Sequence, residues 1–208
     1  MTDPKPTVFV IDDDPSVLKS LARLLSSLGF DVETFGSAEA FLERPHYEGV
    51  GCIVLDVRMP GLSGMELQGE LSKADYSMPI IFITGHGNIP MSVQAMKRGA
   101  IDFLPKPFDD EELLQAVKKA IEKDGRVKTE RTRMHDIRRR IDMLTPREHE
   151  IFRHVITGML NKQIALKLGI AEKTVKVHRG RIMVKLRVDS VADLVRLAEM
   201  AGIRPATE

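Results

Sequence analysis

Five short apolar runs, at about 7–11, 31–34, 52–56, 80–84 and 101–104, alternate with amphipathic stretches over the first half of the chain. This alternation constrains the fold more than any single motif. Val17, Leu18, Leu21, Leu24, Leu25 and Leu28 keep the i, i+3, i+4, i+7 spacing of a helix, and Gly29 is placed to cap it. Ser37 reads as the N-cap of a second helix, and residues 63–71, 90–98 and 109–122 supply three more. Five strands alternating with five helices predict an α/β doubly wound domain with a five-stranded parallel sheet. In such a sheet the strand C-termini gather at one edge, where ligands bind.

Four of the runs end in residues suited to one site. VFVI ends in Asp12, Asp13 and Asp14, CIVL in Asp56, IIFI in Thr84 and IDFLP in Lys106. Carboxylates brought together repel one another unless a cation lies between them. The set therefore predicts a hard divalent metal and a lysine placed to receive an anion. Asp56 is the candidate phosphoacceptor, because a carboxylate can attack a phosphoryl group and hold it as an acyl phosphate. In-line transfer needs charge neutralisation on the equatorial oxygens. Mg2+ (or Mn2+) suits that task, bridging carboxylate and phosphoryl oxygens while keeping waters. Lys106 would meet a phosphoryl oxygen from the other side, and the Thr84 hydroxyl would donate to a third. Taken singly, a strand-end Asp is a turn residue and a lysine between two prolines is solvent-exposed. The conjunction at successive strand ends is what points to chemistry.

The net charge of +1 hides a division. Residues 1–125 carry 12 Lys and Arg against 20 Asp and Glu, a balance of −8, whereas residues 126–208 carry 19 against 10, a balance of +9. The basic part has the sign that nucleic acid requires, although a solvated basic surface would carry the same charge. Cys52 is the only cysteine, so an internal disulfide is excluded, and its apolar run marks it as a core residue. No apolar stretch approaches the ~20 residues of a membrane span, and MTDPKPT lacks a signal-peptide core. A soluble cytoplasmic protein that does not engage a membrane is expected.

Gly125 is expected to end the first unit. Beyond it charge is dense, yet Met134, Ile137, Ile141 and Leu144 keep a 3-4-3 spacing, which predicts a helical linker with a narrow apolar seam. That seam packs either on the following domain, the favoured reading, or on a second copy. From Thr145 the patterns are helical only, at 146–157, 161–168, 172–186 and 190–200. Thr145, Pro146 and Glu148 form a capping box, Gly158 and Gly169 follow two helix ends, and Ser190 precedes the last helix as an N-cap. Ile164, Ala165 and Leu168 give one helix an apolar face, and Val175, Ile182, Val184 and Leu186 are expected to bury the next. Lys173, Lys176, Arg179 and Lys185 are expected on its outer side. A short helix, a Gly turn and a basic amphipathic helix predict a helix-turn-helix in an all-α four-helix domain.

Residues 7–122 resemble a bacterial two-component receiver domain in the stretches VFVIDDDPSV, CIVLDVRMPGLSG, IIFITGHG and DFLPKPF, in that order. The resemblance implies that Asp12 and Asp13 are the acid pair, Asp56 the phosphorylated residue, Thr84 the switch hydroxyl and Lys106 the conserved lysine. It implies direct metal contacts from Asp13, Asp56 and the Arg58 backbone carbonyl, with Asp12 acting through water. Asp14 is then a turn residue. Phe103 stands at the aromatic switch position, and a cis peptide is implied at Lys106–Pro107. The implied mechanism is a population shift, in which phosphoryl oxygens attract Thr84, the 84–89 loop tightens and Phe103 fills the vacated space. Switching mostly on requires a bias of ~3–5 kcal/mol, within reach of a few charge-assisted hydrogen bonds.

Residues 142–202 resemble a LuxR-type DNA-binding domain in LTPREHEIF, NKQIA and EKTVKVHRGRIMVKL. The two-domain order is similar to FixJ-like regulators, including those of aromatic-hydrocarbon catabolism. The implied division is a receiver over 1–122, a helical linker over 123–143 and a DNA-binding domain over 144–208. Lys176 and Val177 would face bases. The third such position falls on Gly180, where Arg179 or Arg181 would have to compensate. Lys162, Thr174, His178, Arg181 and Lys185 are the expected phosphate contacts. The implied partners are a sensor histidine kinase, promoter DNA, RNA polymerase and a second copy across the face of the fourth helix, fifth strand and fifth helix. By analogy the protein activates rather than represses transcription, and no turnover of an external substrate is expected.

Two other classes share some of these residues. Asp12 to Val17 superficially fits the nucleophile motif of haloacid-dehalogenase-type phosphatases, but that reading leaves Asp56, Lys106 and the basic tail unexplained. A DNA-binding protein with a receiver kept only for dimerisation would not need an intact set of five receiver residues.

Overall fold

The computed structural model describes residues 5–74, 76–85 and 89–206. The chain divides into two compact units, Met1–Lys128 and Thr129–Glu208.

In the first unit the expected alternation forms. The strands are β1 (Thr7–Ile11), β2 (Asp31–Phe35), β3 (Gly51–Asp56), β4 (Ile80–Thr84) and β5 (Asp102–Pro105). Between and after them run α1 (Pro15–Ser27), α2 (Ala38–Leu42), α3 (Gly64–Lys73), α4 (Ile89–Lys97) and α5 (Asp110–Asp142). All pairings are parallel, in the order β2-β1-β3-β4-β5. The period of two in each strand feeds two cores. Phe9, Ile11, Ile53, Leu55 and Phe82 face one side with Leu67 and Leu71 of α3. Val8, Val10, Val54, Ile81 and Ile83 face the other with Leu21 and Leu25 of α1 and Leu113 and Val117 of α5. Both faces are covered over the middle of the sheet, so β1, β3 and β4 read as continuous apolar runs, whereas the edge strand β2 stays largely exposed. Cys52 lies in the second of these cores, fully buried, and burial pushes its thiol pKa up.

Local signals set the helix starts. Ser37 accepts a hydrogen bond from the Ala40 N–H at 3.2 Å, and Ser63 and Glu66 close a capping box on α3. Caps of this kind contribute about 1 kcal/mol each. Asp14 is the N-cap of α1, accepting from the Ser16 N–H at 2.8 Å ahead of Pro15.

Gly125 does not end the unit. The helix α5 passes through it and continues to Asp142. A glycine inside a helix costs roughly 0.5–1 kcal/mol relative to alanine, and tertiary bonds next to it offset that cost. Asp124 is buried, and its Oδ2 accepts from the Gly51 N–H at 2.9 Å and from Lys128 Nζ at 2.8 Å. Lys128 also donates to the Gly49 carbonyl. Residues 123–128 are thereby tied to the start of β3.

The second unit contains α6 (Pro146–Val155), α7 (Asn161–Leu168), α8 (Glu172–Leu186) and α9 (Val191–Ala201), close to the expected spans. Its core joins Ile151, Phe152 and Val155 of α6, Ile164 of α7, Val175, Ile182 and Leu186 of α8, and Leu194 and Leu197 of α9. Ile137, Ile141 and Leu144 belong to the same core with Met134 packed against it, so the apolar seam is used within the unit. The expectation fails for Val184, which is 77% exposed. Val184 lies two residues from both Ile182 and Leu186, a spacing that turns a helical side chain away from theirs. Gly169 adopts the left-handed conformation, φ 63°, that turns α7 into α8.

Replacing Asp124 with alanine strips the acceptor from a buried amide and from Lys128. It should lower the stability of the first unit by about 2–3 kcal/mol. Both tyrosines, Tyr47 and Tyr76, lie in that unit, so urea unfolding followed by tyrosine fluorescence reads it selectively.

Candidate functional site

The strand register explains why the predicted residues meet. Ile11 pairs with Leu55, Asp56 with Ile83, and Thr84 with Pro105. Asp12, Asp56, Thr84 and Lys106 therefore leave the sheet at one level. The chain also winds in opposite directions from β1 and β3, which opens the crevice between Asp12 and Asp56.

Asp12, Asp56 and Thr84 are buried, and Lys106 reaches both acids. Its Nζ lies 2.6 Å from Asp12 Oδ2 and 2.7 Å from Asp56 Oδ1. The second oxygen of each acid has a backbone donor: Asp14 N–H to Asp12 Oδ1 at 2.9 Å, and Arg58 N–H to Asp56 Oδ2 at 2.7 Å. The Lys106 N–H in turn donates to the Thr84 carbonyl at 2.7 Å, which fixes the lysine backbone on β4. The Lys106–Pro107 peptide is cis. Burial raises the Asp12 pKa above its ordinary value even though Lys106 and the Asp14 amide pull it down. Burial alone would lower the Lys106 pKa, but hydrogen bonds to Asp12 and Asp56 carry it above its usual value.

Asp13 and Arg58 are exposed at this edge, and among the described residues no three of His, Cys, Asp and Glu cluster around one point. The cation between Asp12 and Asp56 is the Lys106 ammonium. Two buried carboxylates against one ammonium still leave an excess negative charge among oxygen donors only. That donor chemistry fits a hard cation such as Mg2+. Phe103 is half-buried, with its ring 6.2 Å from that of Phe82. Residues 86–88 of the expected 84–89 loop lie outside the described residues.

Gly64 at the start of α3 backs onto Asp56. Its N–H donates to the Val57 carbonyl at 3.1 Å, and a Cβ there would overlap the Asp56 carbonyl oxygen. Only glycine allows α3 to begin so close to Asp56. The sequence reading did not single out this residue, because a contact eight residues away in sequence depends on the β3–α3 turn.

In the second unit, Lys162, Thr174, Lys176, Val177 and Arg181 are exposed. Val177, Lys176 and Arg181 border one shallow concavity on α8 with Lys173 and Gly180. Three of the expected contacts are less available. Arg179 donates to Asn161 Oδ1 at 2.9 Å. His178 is half-buried, and its Nδ1 has no hydrogen-bond partner among the described residues. Lys185 is turned inward, donating to Glu148 Oε2 at 2.6 Å and to the Met143 carbonyl at 3.0 Å. Glu148 is buried, works against the cost of its own burial, and also accepts from the Thr145 N–H at 2.9 Å. Those donors hold its carboxyl at about 2, well below the usual carboxylate range. The capping box was readable as Thr145 and Glu148, but the link from Glu148 to a lysine 37 residues on was not.

Comparison with known proteins agrees with this geometry in both units. Residues 8–118 match the response regulator receiver domain family, and residues 142–198 match the luxR family of bacterial regulatory proteins. The chain belongs to the response regulators. It is 48% identical over 199 residues to nodulation protein W of Bradyrhizobium diazoefficiens, covering 96% of this chain and 88% of that one. It is 44% identical to the response regulator protein TodT of Pseudomonas putida, with the same coverage of both chains. Among solved structures it is similar to the response regulator StyR, with a TM-score of 0.89 and 52% identity over 94% of this chain and 99% of that one. Full-length FixJ from B. japonicum gives a TM-score of 0.57 and 41% identity over 97% and 99%. This response regulator thus joins a receiver domain to a LuxR-type DNA-binding domain, and its relatives include transcriptional regulators of two-component systems. The family implies a histidine-kinase partner and DNA binding, and its members are typically not enzymes. Among the described residues no helix is long and apolar enough to cross a membrane.

Two outcomes follow for the charged groups. In Lys106→Met, Asp12 and Asp56 lose their shared cation, and the Asp12 carboxyl should titrate higher still by 13C NMR. A folded pKa raised above the unfolded one makes stability fall as pH rises through the interval between them. The variant should therefore lose about 3 kcal/mol at neutral pH and recover part of it in acid, as read by urea unfolding. Glu148 has the opposite sign. Its folded value is depressed, so its contribution is present above the ordinary carboxylate range and lost as pH falls towards about 2. Glu148→Gln should flatten that acid limb in the second unit, followed through the isoleucine methyl signals of the full chain.

Proposed function

We propose that this response regulator is a phosphorylation-controlled transcription activator with Asp56 as the phosphoacceptor. The observation that carries the reading is the buried pair of Asp12 and Asp56 bridged by Lys106, with Thr84 on the neighbouring strand end. A sensor histidine kinase donates the phosphoryl group. A carboxylate oxygen of Asp56 attacks phosphorus, and the bond to the donor nitrogen breaks. Asp12, Asp13, Asp56 and the Arg58 carbonyl hold Mg2+ (or Mn2+), which supplies charge neutralisation at the phosphoryl oxygens when bound. Lys106 stays within reach of the acceptor and takes one phosphoryl oxygen, and the Thr84 hydroxyl donates to another. Asp56 holds the group as a stored signal, with no turnover of an external substrate.

The signal moves Thr84 and Phe103 and reshapes the face of α4, β5 and α5. Ile89, Val93 and Met96 already expose a stripe on α4, at 79%, 45% and 45%. The spacing of that stripe puts the three on one side of the helix, which suits pairing with a second copy. In this reading residues 1–122 form the receiver, 123–143 the helical connector and 144–208 the DNA-binding domain. Lys176, Val177 and Arg181 meet the major groove, with Lys162 and Thr174 on phosphates. The protein works in the cytoplasm, on promoter DNA and beside RNA polymerase.

Acetyl phosphate with Mg2+ should label Asp56, mapped by mass spectrometry, and label on Asp12 instead would overturn the assignment. Beryllofluoride with Mg2+ should convert the wild type to a dimer of raised DNA affinity and leave Asp56→Asn unchanged. An unaltered size and affinity in the wild type would remove phosphorylation from the mechanism.

A further inference from the structure

The outer side of α8 has an unusual centre line. Val177, Gly180 and Val184 follow one another at i, i+3 and i+7 and so share one face, opposite the buried Val175, Ile182 and Leu186. Val177 is 46% exposed and Val184 77% exposed. Lys173 continues this line one turn towards the helix N-terminus, Lys176 flanks it on one side and Arg181 and Lys185 on the other, around the same shallow concavity. Lys185 lines the concavity with its stem, but its ammonium is held by Glu148, and Arg179 is held by Asn161. From Val177 to Val184 the line thus offers no hydrogen-bonding side chain, while its N-terminal end and its margins are cationic.

Nothing inside the protein requires a glycine at 180. Its φ is not in the left-handed region, and a Cβ there would meet no atom within 4 Å. Glycine in a helix interior weakens the helix. The reason for its presence therefore lies in what approaches the helix from outside. The cationic margins commit that occupant to a polyanion, and a duplex is the polyanion whose groove admits a helix.

We infer that Gly180 is a specificity-determining position, and that the Val177–Gly180–Val184 line selects thymine through its C5-methyl group. Of the four bases, thymine alone presents an apolar group in the major groove. A line of valines around a gap can neither donate to nor accept from the polar edges of guanine, adenine or cytosine, but it can bury a methyl. The missing side chain at 180 lets the base edge approach the helix backbone between the two valines. Arg181, rather than Arg179, is then the cation free to act beside them. The inference rests on the DNA-binding reading above and adds the chemical class of base that α8 selects.

The test uses the full chain with beryllofluoride and Mg2+. Selection from a random-sequence duplex pool should return a consensus with thymines in each half-site. Replacing those thymines with deoxyuridine removes only the methyl group. Affinity should fall about fourfold for each contacted methyl, the size expected for one buried methylene. Val177→Ala should erase the thymine–deoxyuridine difference at one position and Val184→Ala at another, while each leaves the difference at the other's position. Gly180→Ala should fold with an equal or higher melting temperature and yet bind the consensus at least ~10-fold more weakly, because the added methyl blocks the approach of the base rather than the fold. A consensus whose deoxyuridine version binds equally well overturns this inference and leaves the regulator reading intact. Wild-type affinity in Gly180→Ala, or undiminished discrimination in both valine variants, overturns it as well. A pool that yields no consensus overturns the DNA-binding reading, and the inference with it.

Discussion

Two carboxylates buried side by side at the ends of adjacent parallel strands are the constraint around which the first unit is arranged. Asp12 and Asp56 come together because β1 and β3 pair in register and end at one level. The sheet can bury them only if a cation comes too, and β5 delivers Lys106. Every connection near that edge serves this placement. Asp14 caps α1 while its N–H holds Asp12, Arg58 N–H holds Asp56, and the Thr84 carbonyl holds the backbone of Lys106. Burial raises the Asp12 pKa, so Asp12 itself opposes the stability of the fold at neutral pH, whereas the raised Lys106 pKa works the other way. A fold selected for stability alone would place an apolar pair there. Opposed charges buried at a strand edge are a mark of a functional site rather than of a stabilising one.

The second unit uses a buried carboxylate for a different end. Glu148 closes the capping box of α6 and draws in Lys185 of α8, so one side chain sets the start of one helix and the end of another. Its pKa is shifted down, not up, because its donors outweigh its burial. The contrast separates an acid whose donors outweigh its burial from one whose donors do not. Glu148 Oε2 takes both the Thr145 N–H and the Lys185 ammonium and contributes to stability, whereas Asp12 is under-compensated.

Most of the fold was legible because local and global signals agree. The five strands, Ser37, Thr145 and Ser190 as caps, and Gly169 as a turn all follow from periodicity and capping chemistry. The convergence of Asp12, Asp56, Thr84 and Lys106 was readable because a parallel sheet places strand ends together. What escaped depends on contacts between distant segments. Gly125 looks like a stop until Gly51 supplies Asp124 with a partner 73 residues away. Lys185 and Arg179 look outward on a helical wheel, but long side chains bend towards Glu148 and Asn161. Val184 looks like core because valine is apolar, and only the phase of the helix relative to Ile182 and Leu186 places it outside.

The helix α5 has a consequence for dividing this protein into pieces. A cut at residue 118, where the match to the receiver family stops, discards Asp124 and strands a buried amide at the first residue of β3. A cut at Asp142 removes Ile137 and Ile141 from the core that α6 to α9 close around. Between Lys128 and Met134, by contrast, no residue belongs to either apolar core. The natural seam of the molecule therefore runs through the middle of one continuous helix, about a turn beyond the glycine that looked like its end, and fragments made there would each keep a whole interior.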